Sequence, residues 1–387
     1  MKILLIEDCP NKTNAIESCI KHVLEDTPYE IIKAESLELA RRNIISSLFD
    51  LIIFDIYLPI TKGLDDNNQE DISFEIIKEF SESKNYQAES IAITKYNVAE
   101  IENRSLFNDS GVTVVQYSED NKWKDSLSNK LLRIKDNVKY DFLIFCALQK
   151  ERDGYIKTDA IIGERKLIKG LNCQKIYING FTGLCITPKR AGLVDMAILS
   201  AKAIEAFSPT IVAMSGICAG VKGESNLLDL VVGNLCWEYQ TGKLKNNEFV
   251  QEPYQAPIDN TLETELDLFI LESCLHEELK KNLYCSELTN SKIILAPISS
   301  GSAVIANEEK MKEIVGQQRK MAALEMEMYA LYEAARQSLT KPLYFGIKAV
   351  VDLGDENKGD IYHTTGSVLS ARFVVKYLEK KLPDIIN

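Results

Sequence analysis

The sequence predicts an α/β protein built of two domains. Short apolar runs alternate with amphipathic stretches along most of the chain, which is typical of strands and helices in βαβ units. The length of 387 residues favours two domains over one. A fresh apolar run at Tyr140–Ala147 follows the polar residues 135–137, so we place the domains at 1–136 and 138–387.

The N-terminal domain repeats an apolar run followed by a helical pattern. We assign its strands to Lys2–Ile6, Tyr29–Ala34, Asp50–Ile56, Ser90–Thr94 and Val112–Tyr117. Amphipathic spacing predicts helices that include Thr13–Leu24, Ile72–Phe80 and Lys122–Ile134. These βα units predict a doubly wound, five-stranded parallel sheet of flavodoxin-like type, whose functional groups lie at the carboxyl ends of the strands.

The larger C-terminal domain continues the alternation after its first strand at Tyr140–Ala147. Apolar runs predict further strands at Ile211–Met214, Leu228–Val232, Lys292–Ala296 and Tyr344–Val351. Long helical patterns cover Leu193–Ala206, Leu262–Lys281 and Met321–Gln337. The sequence therefore predicts a second α/β domain, larger than the first.

Composition excludes several classes of protein. No apolar run approaches the roughly 18 residues that indicate a membrane helix, and Glu7 and Asp8 come too early for a signal peptide. The nine scattered cysteines, many of them in apolar runs, favour reduced side chains in a cytoplasmic protein. A net charge of −12 argues against nucleic-acid binding.

Acidic side chains follow the predicted strands of the N-terminal domain. Glu7 and Asp8 end the first strand, Asp55 ends the third and Thr94 ends the fourth. Carboxyl ends of parallel strands meet at one edge, so these residues should converge and could hold Mg²⁺. A carboxylate beside Mg²⁺ can accept a phosphoryl group, and the Thr94 hydroxyl could sense it.

This arrangement, with the Asp55-x-x-x-Pro59 turn, resembles the receiver domain of two-component response regulators. The resemblance implies Asp55 as phospho-acceptor, Glu7, Asp8 and Asp55 as Mg²⁺ ligands, and Thr94 as the switch residue. It also implies a sensor histidine kinase or another phosphodonor as partner. Receivers carry a lysine after strand five, which this chain lacks there; Lys95 or Lys122 could substitute. The alternative is a degenerate receiver used for docking or dimerisation.

Two carboxylates one residue apart mark the C-terminal domain. Glu325 and Glu327 lie in a mostly apolar run, and side chains two apart on an extended segment point the same way. A carboxylate in an apolar interior is costly unless a partner satisfies it. The pair therefore indicates a polar site that grips vicinal hydroxyls, with Asp352 following in a second apolar run. The alternative is a structural pair matched by an Arg or Lys.

We assign three further segments to the same predicted polar site. Ala147–Glu151 directly follows the first strand of the domain, and Ser299–Ile305 follows an apolar run. Met214–Gly223 is rich in glycine, includes Gly220 and Lys222, and could turn so that backbone N–H groups approach an oxygen-rich ligand. Alone, the glycine-rich segment is more typical of an ordinary turn than of a ligand site.

Together and in order, these segments resemble the purine nucleoside phosphorylase and nucleosidase superfamily, in particular the methylthioadenosine/S-adenosylhomocysteine nucleosidases. The resemblance spans about residues 140–382 and implies a mixed sheet. It implies Asp352 as the general acid that protonates the purine, Glu151 as the residue that places water, and Glu327 as the ligand of the ribose hydroxyls. Other implied substrate contacts are Glu325, Met326, Ile305, Val304, Ser300, Gly220, Lys222 and Lys348. No cofactor is required for this chemistry.

The chain departs from the nucleosidase pattern at three positions. Val304 stands where these enzymes carry an aromatic residue that stacks on adenine. Val351 replaces the serine that precedes the catalytic aspartate, and Lys348 replaces an arginine. Activation of Asp352 could therefore rely on Lys348.

A receiver followed by a nucleosidase resembles the effectors of Detocs-type two-component phage-defence systems, whose nucleosidase splits ATP into adenine and ribose triphosphate. This implies a phosphorylation-regulated purine nucleotide N-ribosidase acting on ATP or dATP, and an antiviral role. Candidates for a triphosphate site are Lys150, Lys189, Arg190 and Lys222. The resemblance also implies a homodimer or larger oligomer. Alternatives are a methylthioadenosine/S-adenosylhomocysteine nucleosidase, a phosphorylase, or a non-catalytic nucleotide sensor.

Overall fold

The computed structural model describes residues 1–25, 29–61, 69–101, 104–136, 139–246, 248–252, 254–354 and 359–386. The chain divides into two compact units, Met1–Val138 (unit 1) and Lys139–Asn387 (unit 2). Across the described ranges, no helix is both long and apolar enough to cross a membrane.

Unit 1 alternates strands and helices. Its strands are Lys2–Ile6 (β1), Glu30–Ala34 (β2), Leu51–Phe54 (β3), Tyr57–Leu58 (β4), Glu70–Asp71 (β5), Glu89–Thr94 (β6) and Thr113–Gln116 (β7). Its helices are Pro10–Leu24 (α1), Leu37–Ser46 (α2), Ser73–Ser81 (α3), Arg104–Asp109 (α4) and Lys122–Asp136 (α5), with a 3-10 turn at Val98–Glu100.

The main sheet of unit 1 has the order β2-β1-β3-β6-β7, with every neighbouring pair parallel. Strand β3 is buried along its length, as expected for an apolar run covered by helices on both faces. The prediction of a doubly wound, five-stranded parallel sheet is therefore confirmed over the described residues. Parallel pairing brings the ends of β1, β3 and β6 to one edge, where Glu7, Asp55 and Thr94 lie.

Unit 2 contains more strands and longer helices. Its strands are Phe142–Phe145 (β8), Ile161–Ile168 (β9), Leu171–Ile178 (β10), Phe181–Ile186 (β11), Ile211–Gly220 (β12), Leu230–Glu238 (β13), Gly242–Lys245 (β14), Glu248–Gln251 (β15), Gln255–Pro257 (β16), Ile293–Ser300 (β17), Ala323–Glu325 (β18) and Leu343–Asp352 (β19). Its helices are Gln149–Asp153 (α6), Leu193–Phe207 (α7), Asn260–Ile270 (α8), Leu275–Lys280 (α9), Glu308–Val315 (α10), Met328–Gln337 (α11) and His363–Ile386 (α12). Short 3-10 turns lie at Gly154–Lys157 and Ser286–Thr289.

A large mixed sheet forms the centre of unit 2. Its order is β16-β13-β17-β18-β12-β8-β11-β10-β9, and β19 pairs with both β12 and β13. Strand β12 runs parallel to β8 and β19 and antiparallel to β18. The mixed α/β domain is therefore as predicted, and the ends of β8, β12, β18 and β19 come together around the site described below.

Three element predictions for unit 2 were wrong in detail. The glycine-rich segment from Met214 does not turn but continues β12 to Gly220, because β8, β18 and β19 use its backbone groups for pairing. The helix predicted at Leu262–Lys281 breaks between α8 and α9, where Ser273 and Cys274 are weak helix formers. The helix predicted from Met321 begins only at Met328, since Ala323–Glu325 pairs with β12 and β17.

Candidate active site

Lys348 is a buried cation beside the carboxylates of unit 2. It lies in β19, between β12 and β13, and its side chain is 0% exposed. Its Nζ is 3.4 Å from Glu325 Oε2 and 3.5 Å from Glu327 Oε2. The apolar strands therefore bury both carboxylates together with one opposite charge, and this pairing offsets part of the cost of burying a charge.

Opposing effects act on the pKa of Lys348. Burial alone lowers this pKa, but the carboxylates of Glu151, Glu325 and Glu327 outweigh burial and raise it. Lys348 therefore stays charged. Its ammonium makes no well-aligned hydrogen bond to the part of the chain that the structure describes, although both carboxylates are near.

Glu325 is fully engaged with its own segment. It accepts hydrogen bonds from the backbone N–H of Glu327 at 2.9 Å, from that of Met328 at 2.9 and 3.0 Å, and from the Ser300 hydroxyl. The Ser300 oxygen in turn accepts the N–H of Tyr329 at 3.0 Å. A carboxylate at the N-terminus of a helix satisfies N–H groups that have no partner within the helix. Glu325 therefore fixes the start of α11.

Glu327 is held more loosely and lines the cavity. Its Oε1 accepts the backbone N–H of Gly192 at 2.9 Å, and its Oε2 lies beside Lys348 at 3.5 Å. Burial, reinforced by Glu325 and opposed by Lys348, raises the pKa of Glu327 to about 7. The side chain is therefore a hydrogen-bond acceptor that takes up a proton close to neutral pH.

Two backbone N–H groups orient the carboxylate of Glu151. Its Oε2 accepts from Leu148 at 2.8 Å, at the start of α6, and its Oε1 accepts from Ile217 at 2.9 Å, in β12. Gly216 makes this approach possible, because a Cβ at that position would lie 2.2 Å from Glu151 Oε1. The sequence analysis included Gly216 in a glycine-rich turn, whereas it lies inside β12, where a glycine permits a close approach.

Asp352 ends β19 and is 6% exposed. Its Oδ1 accepts the backbone N–H of Gly354 at 2.9 Å. Gly354 has φ +67°, in the left-handed region that favours glycine. The preceding Val351 brings no hydroxyl to the site, so a backbone N–H contributes to orienting this carboxyl group.

A cavity of about 240 Å³ joins these side chains. The predicted residues that line it are Glu151, Val304, Ile305, Glu325, Met326, Glu327 and Asp352. Val304, expected near the base, is 61% exposed at its rim. Three carboxyl-bearing segments far apart in sequence thus meet around one small, largely apolar space, a common form for a ligand site.

Four residues predicted for the site lie outside the lining of this cavity. Ser300 and Lys348 stand behind it and hold the carboxylates. Gly220 packs against Ser225 and Val350, where a Cβ would lie 2.6 Å from each, and Lys222 is exposed. The lysine of the glycine-rich segment is therefore on the surface.

His363 and Cys218 line the cavity and were missed by sequence reasoning. His363 opens α12, its Nδ1 contacts Lys150 Nζ, and Asp360 Oδ1 lies 2.9 Å from the same ring nitrogen. Burial raises the pKa of the Cys218 thiol well above its usual value. A histidine at the start of a distant helix carries no sequence signal that links it to Glu151 or Asp352. Of the other basic candidates, Lys189 and Arg190 are exposed.

The acidic edge of unit 1 contains an unpredicted lysine. Lys12, in the first turn of α1, is 0% exposed, and its Nζ lies 2.5 Å from Asp55 Oδ2 and 2.7 Å from Glu7 Oε2. It also donates to the carbonyl of Ile93 at 2.5 Å. Burial raises the pKa of Glu7, and Lys12 opposes that rise. Lys12 is close to Glu7 and Asp8 in the sequence, but the sequence does not show that its side chain points back to them.

Other acceptors at this edge are also engaged. Asp55 Oδ1 accepts the N–H of Ile56 at 2.7 Å, Glu7 Oε1 that of Cys9 at 3.0 Å, and Asp8 Oδ2 the side chain of Gln69 at 2.7 Å. Within the described ranges, no group of three or more His, Cys, Asp or Glu side chains is arranged to hold a metal ion. Lys12 takes the place between Glu7 and Asp55 that a shared ion would need, so the arrangement does not fit Mg²⁺.

The two lysines considered as substitutes differ in how near they lie to the acidic edge. Lys95 is exposed and its Nζ is 3.2 Å from Cys9 Sγ, next to the acidic edge. Lys122 pairs with Asp120 on the surface at 3.0 Å. Thr94 is buried, and its hydroxyl oxygen accepts the N–H of Tyr96 at 3.3 Å. The roles predicted for Asp55 and Thr94 stay predictions.

Comparison with known sequences gives distant relatives. No protein-family model matches the chain. The uncharacterized protein y4jS of Sinorhizobium fredii is 26% identical to this chain. The match covers 98% of this chain and 99% of y4jS. ATP nucleosidase Cap17 of Escherichia coli is 24% identical in an alignment of 211 positions that covers 51% of this chain and 41% of Cap17. The match thus spans less than half the length of Cap17.

Comparison with solved structures supports the fold. The 5′-methylthioadenosine/S-adenosylhomocysteine nucleosidase of Helicobacter pylori is 15% identical, with a TM-score of 0.50. The match covers 64% of this chain and 99% of that enzyme. The chain thus contains a five-stranded parallel α/β unit, counted over the described residues, and a larger unit with a nucleosidase-like α/β fold.

Proposed function

We propose that unit 2 is a purine nucleotide N-ribosidase, which hydrolyses the N-glycosidic bond of ATP or dATP. The products would be adenine and ribose or deoxyribose triphosphate. One observation carries the proposal: Glu151, Glu327 and Asp352 line one small cavity, with the charged Lys348 behind two glutamates. This set supplies an acid, a base and a ribose ligand from fixed backbone positions.

The proposed reaction assigns one task to each carboxyl group. Asp352, oriented by the Gly354 N–H, gives a proton to N7 of the purine as the C1′–N9 bond breaks and its electrons pass to the base. Glu151 takes a proton from the water that attacks C1′. Glu327 accepts hydrogen bonds from ribose hydroxyls. The Lys348 ammonium, which makes no hydrogen bond to the described residues, balances the negative charge of Glu325 and Glu327.

The choice of a nucleotide substrate has two supports. The first is the 24% identity to ATP nucleosidase Cap17 over 51% of this chain. The second is the contact of Lys150 with His363 at the cavity, which offers nitrogen donors to an anion. A second candidate, cleavage of methylthioadenosine or S-adenosylhomocysteine, is favoured by the similarity of fold to the Helicobacter enzyme.

Product analysis on a panel of substrates tests the proposal. The protein is incubated with ATP, dATP, AMP, adenosine, methylthioadenosine and S-adenosylhomocysteine, with and without inorganic phosphate, and bases are identified by mass spectrometry. Adenine and a sugar triphosphate from ATP support the proposal. Adenine from thioethers alone supports the second candidate, and ribose 1-phosphate indicates a phosphorylase. Ligand binding with no base released from any substrate indicates a nucleotide sensor.

Unit 1 is proposed to regulate this activity through phosphorylation of Asp55 by a sensor histidine kinase or another phosphodonor. The supports are its doubly wound parallel sheet and the position of Asp55 at the carboxyl edge. An antiviral role, in which nucleotide loss stops phage growth, follows from the same pairing of units. Phosphodonor treatment of wild type and Asp55→Asn should change adenine release in wild type alone. Equal release in all samples would contradict the regulation.

A further inference from the structure

We propose that Lys12 is the built-in cation of the acidic edge of unit 1 and takes the place of a divalent metal ion. The ammonium group and the carboxylates of Glu7 and Asp55 form a closed ion triad. This inference concerns the regulatory site of the proposed function, but does not depend on activity in unit 2. It predicts a regulatory pocket that is assembled without Mg²⁺.

The contacts of Lys12 are those of a central ion rather than of a surface lysine. Its Nζ has oxygen neighbours at the carboxyl ends of three strands: Glu7 after β1 at 2.7 Å, Asp55 after β3 at 2.5 Å and the carbonyl of Ile93 in β6 at 2.5 Å. An ammonium group has three N–H donors, so these oxygens use its full capacity. The ring of Tyr117 lies 6.0 Å from the same nitrogen.

Local structure explains why Lys12 reaches this edge. Helix α1 begins at Pro10, directly after Glu7 and Asp8, and proline suits the first position of a helix. Side chains in a helix lean toward its N-terminus, so Lys12 in the first turn points back across the strand ends. Lys95, by contrast, is exposed and contacts Cys9, which makes it a matched control for a nearby lysine.

Charge and space both act against a metal ion beside Lys12. A divalent ion between Glu7 and Asp55 would meet an ammonium already in contact with both carboxylates. Lys12 is 0% exposed, so water does not screen that repulsion well. Removing the ammonium while keeping its volume should leave two buried carboxylates without a counter-ion. That vacated site is one a divalent cation can fill.

Metal binding by the full chain tests the inference. Mn²⁺ is titrated into wild type, Asp55→Asn, Lys12→Met, Lys95→Met and the double variant Lys12→Met/Asp55→Asn, with free Mn²⁺ followed by electron paramagnetic resonance. Calorimetry with Mg²⁺ repeats the series. Wild type and Lys95→Met should show no saturable site at millimolar metal. Lys12→Met should gain one site, and the double variant should lose it.

Each other outcome overturns the inference. Saturable metal binding by wild type that Asp55→Asn removes would show that the pocket takes a metal in spite of Lys12. Failure of folded Lys12→Met to gain a site would show that Lys12 does not stand in for a metal. If Lys12→Met does not fold, Lys12→Gln is used, and the wild-type titration alone still decides the first point. Adenine release is measured in parallel, so failure of the proposed function is seen separately.

Discussion

The two units each bury a lysine between two carboxylates, and the geometry differs. In unit 1, Lys12 Nζ lies 2.5 and 2.7 Å from Asp55 and Glu7, and the ammonium closes the space between them. In unit 2, Lys348 Nζ lies 3.4 and 3.5 Å from Glu325 and Glu327, behind a cavity of about 240 Å³. The lysine therefore fills the space between the carboxylates in unit 1, whereas in unit 2 it stands behind the carboxylates that line a cavity.

The difference indicates that the distance between the lysine and its carboxylates decides whether the charges close a site or leave a cavity beside it. At hydrogen-bond distance the charges satisfy one another, and the Lys12 ammonium fills the space between its two carboxylates. Lys348 lies farther from its carboxylates and opposes the rise that burial causes in the pKa of Glu327, while Glu327 still lines the cavity. A buried pair of this kind is weak support for stability by itself, since desolvation offsets the attraction.

Lys348→Met should have the largest effect, because it leaves buried carboxylates without a counter-ion. We expect a loss of about 3 to 5 kcal/mol in the free energy of unfolding, measured by chemical denaturation. Lys310→Met removes an exposed pair with Glu313 and should change stability little. A Lys348→Met protein as stable as wild type would show that Lys348 is not the counter-ion of Glu325 and Glu327.

Asp352→Asn removes the proposed proton donor and keeps the size of the side chain. Adenine release should fall by a factor of roughly 10² or more, while nucleotide binding measured by calorimetry should persist. Glu309→Gln, an exposed position on α10, is the matched control and should keep wild-type turnover. Equal turnover in Asp352→Asn would remove this residue from the chemistry.

Glu327 should make stability depend on pH. Its folded pKa of about 7 lies above the ordinary value of 4.5, so between these values the folded chain binds more protons than the unfolded chain. The free energy of unfolding should therefore fall as the pH rises from 4.5 to 7, by about 1 to 3 kcal/mol from this group. Glu327→Gln should flatten that slope in denaturation curves. An identical slope in both proteins would contradict the raised pKa.

Ser300→Ala should have the smallest effect. It removes one hydrogen bond to Glu325 and the acceptor for the Tyr329 N–H, so we expect a loss of about 1 kcal/mol in the free energy of unfolding. Turnover should change less than in Asp352→Asn, since Ser300 does not line the cavity. A loss of activity as large as that of Asp352→Asn would place Ser300 in the chemistry itself.

Much of the fold follows from local pattern. Strand β1 has the predicted bounds, and β6 and α7 differ from prediction by one residue at one end, because apolar period and length identify such elements. Glycine misled the prediction for Met214–Gly220, since its turn preference gave way to pairing with neighbouring strands. Propensity is a weak guide wherever tertiary pairing competes with it.

The site was predictable where its residues are unusual in their own segment. Glu325, Glu327 and Asp352 are acids in apolar runs, and such acids signal a built site. Lys12 and His363 are ordinary residues for their helices, and their importance arises from elements distant in the chain. A single sequence does not show such pairings, so the acidic edge of unit 1 was predicted without its central cation.

The hydrogen bonds of Glu325 have a consequence for how the protein fails on heating. This carboxylate accepts hydrogen bonds from the N–H groups of Glu327 and Met328, so the first turn of α11 and Glu327, the proposed ribose ligand, form one local structure. Fraying of a single helical turn would release Glu327 from the cavity while the sheet remains intact. Local opening of this kind costs less than global unfolding. Inactivation should therefore precede loss of the fold.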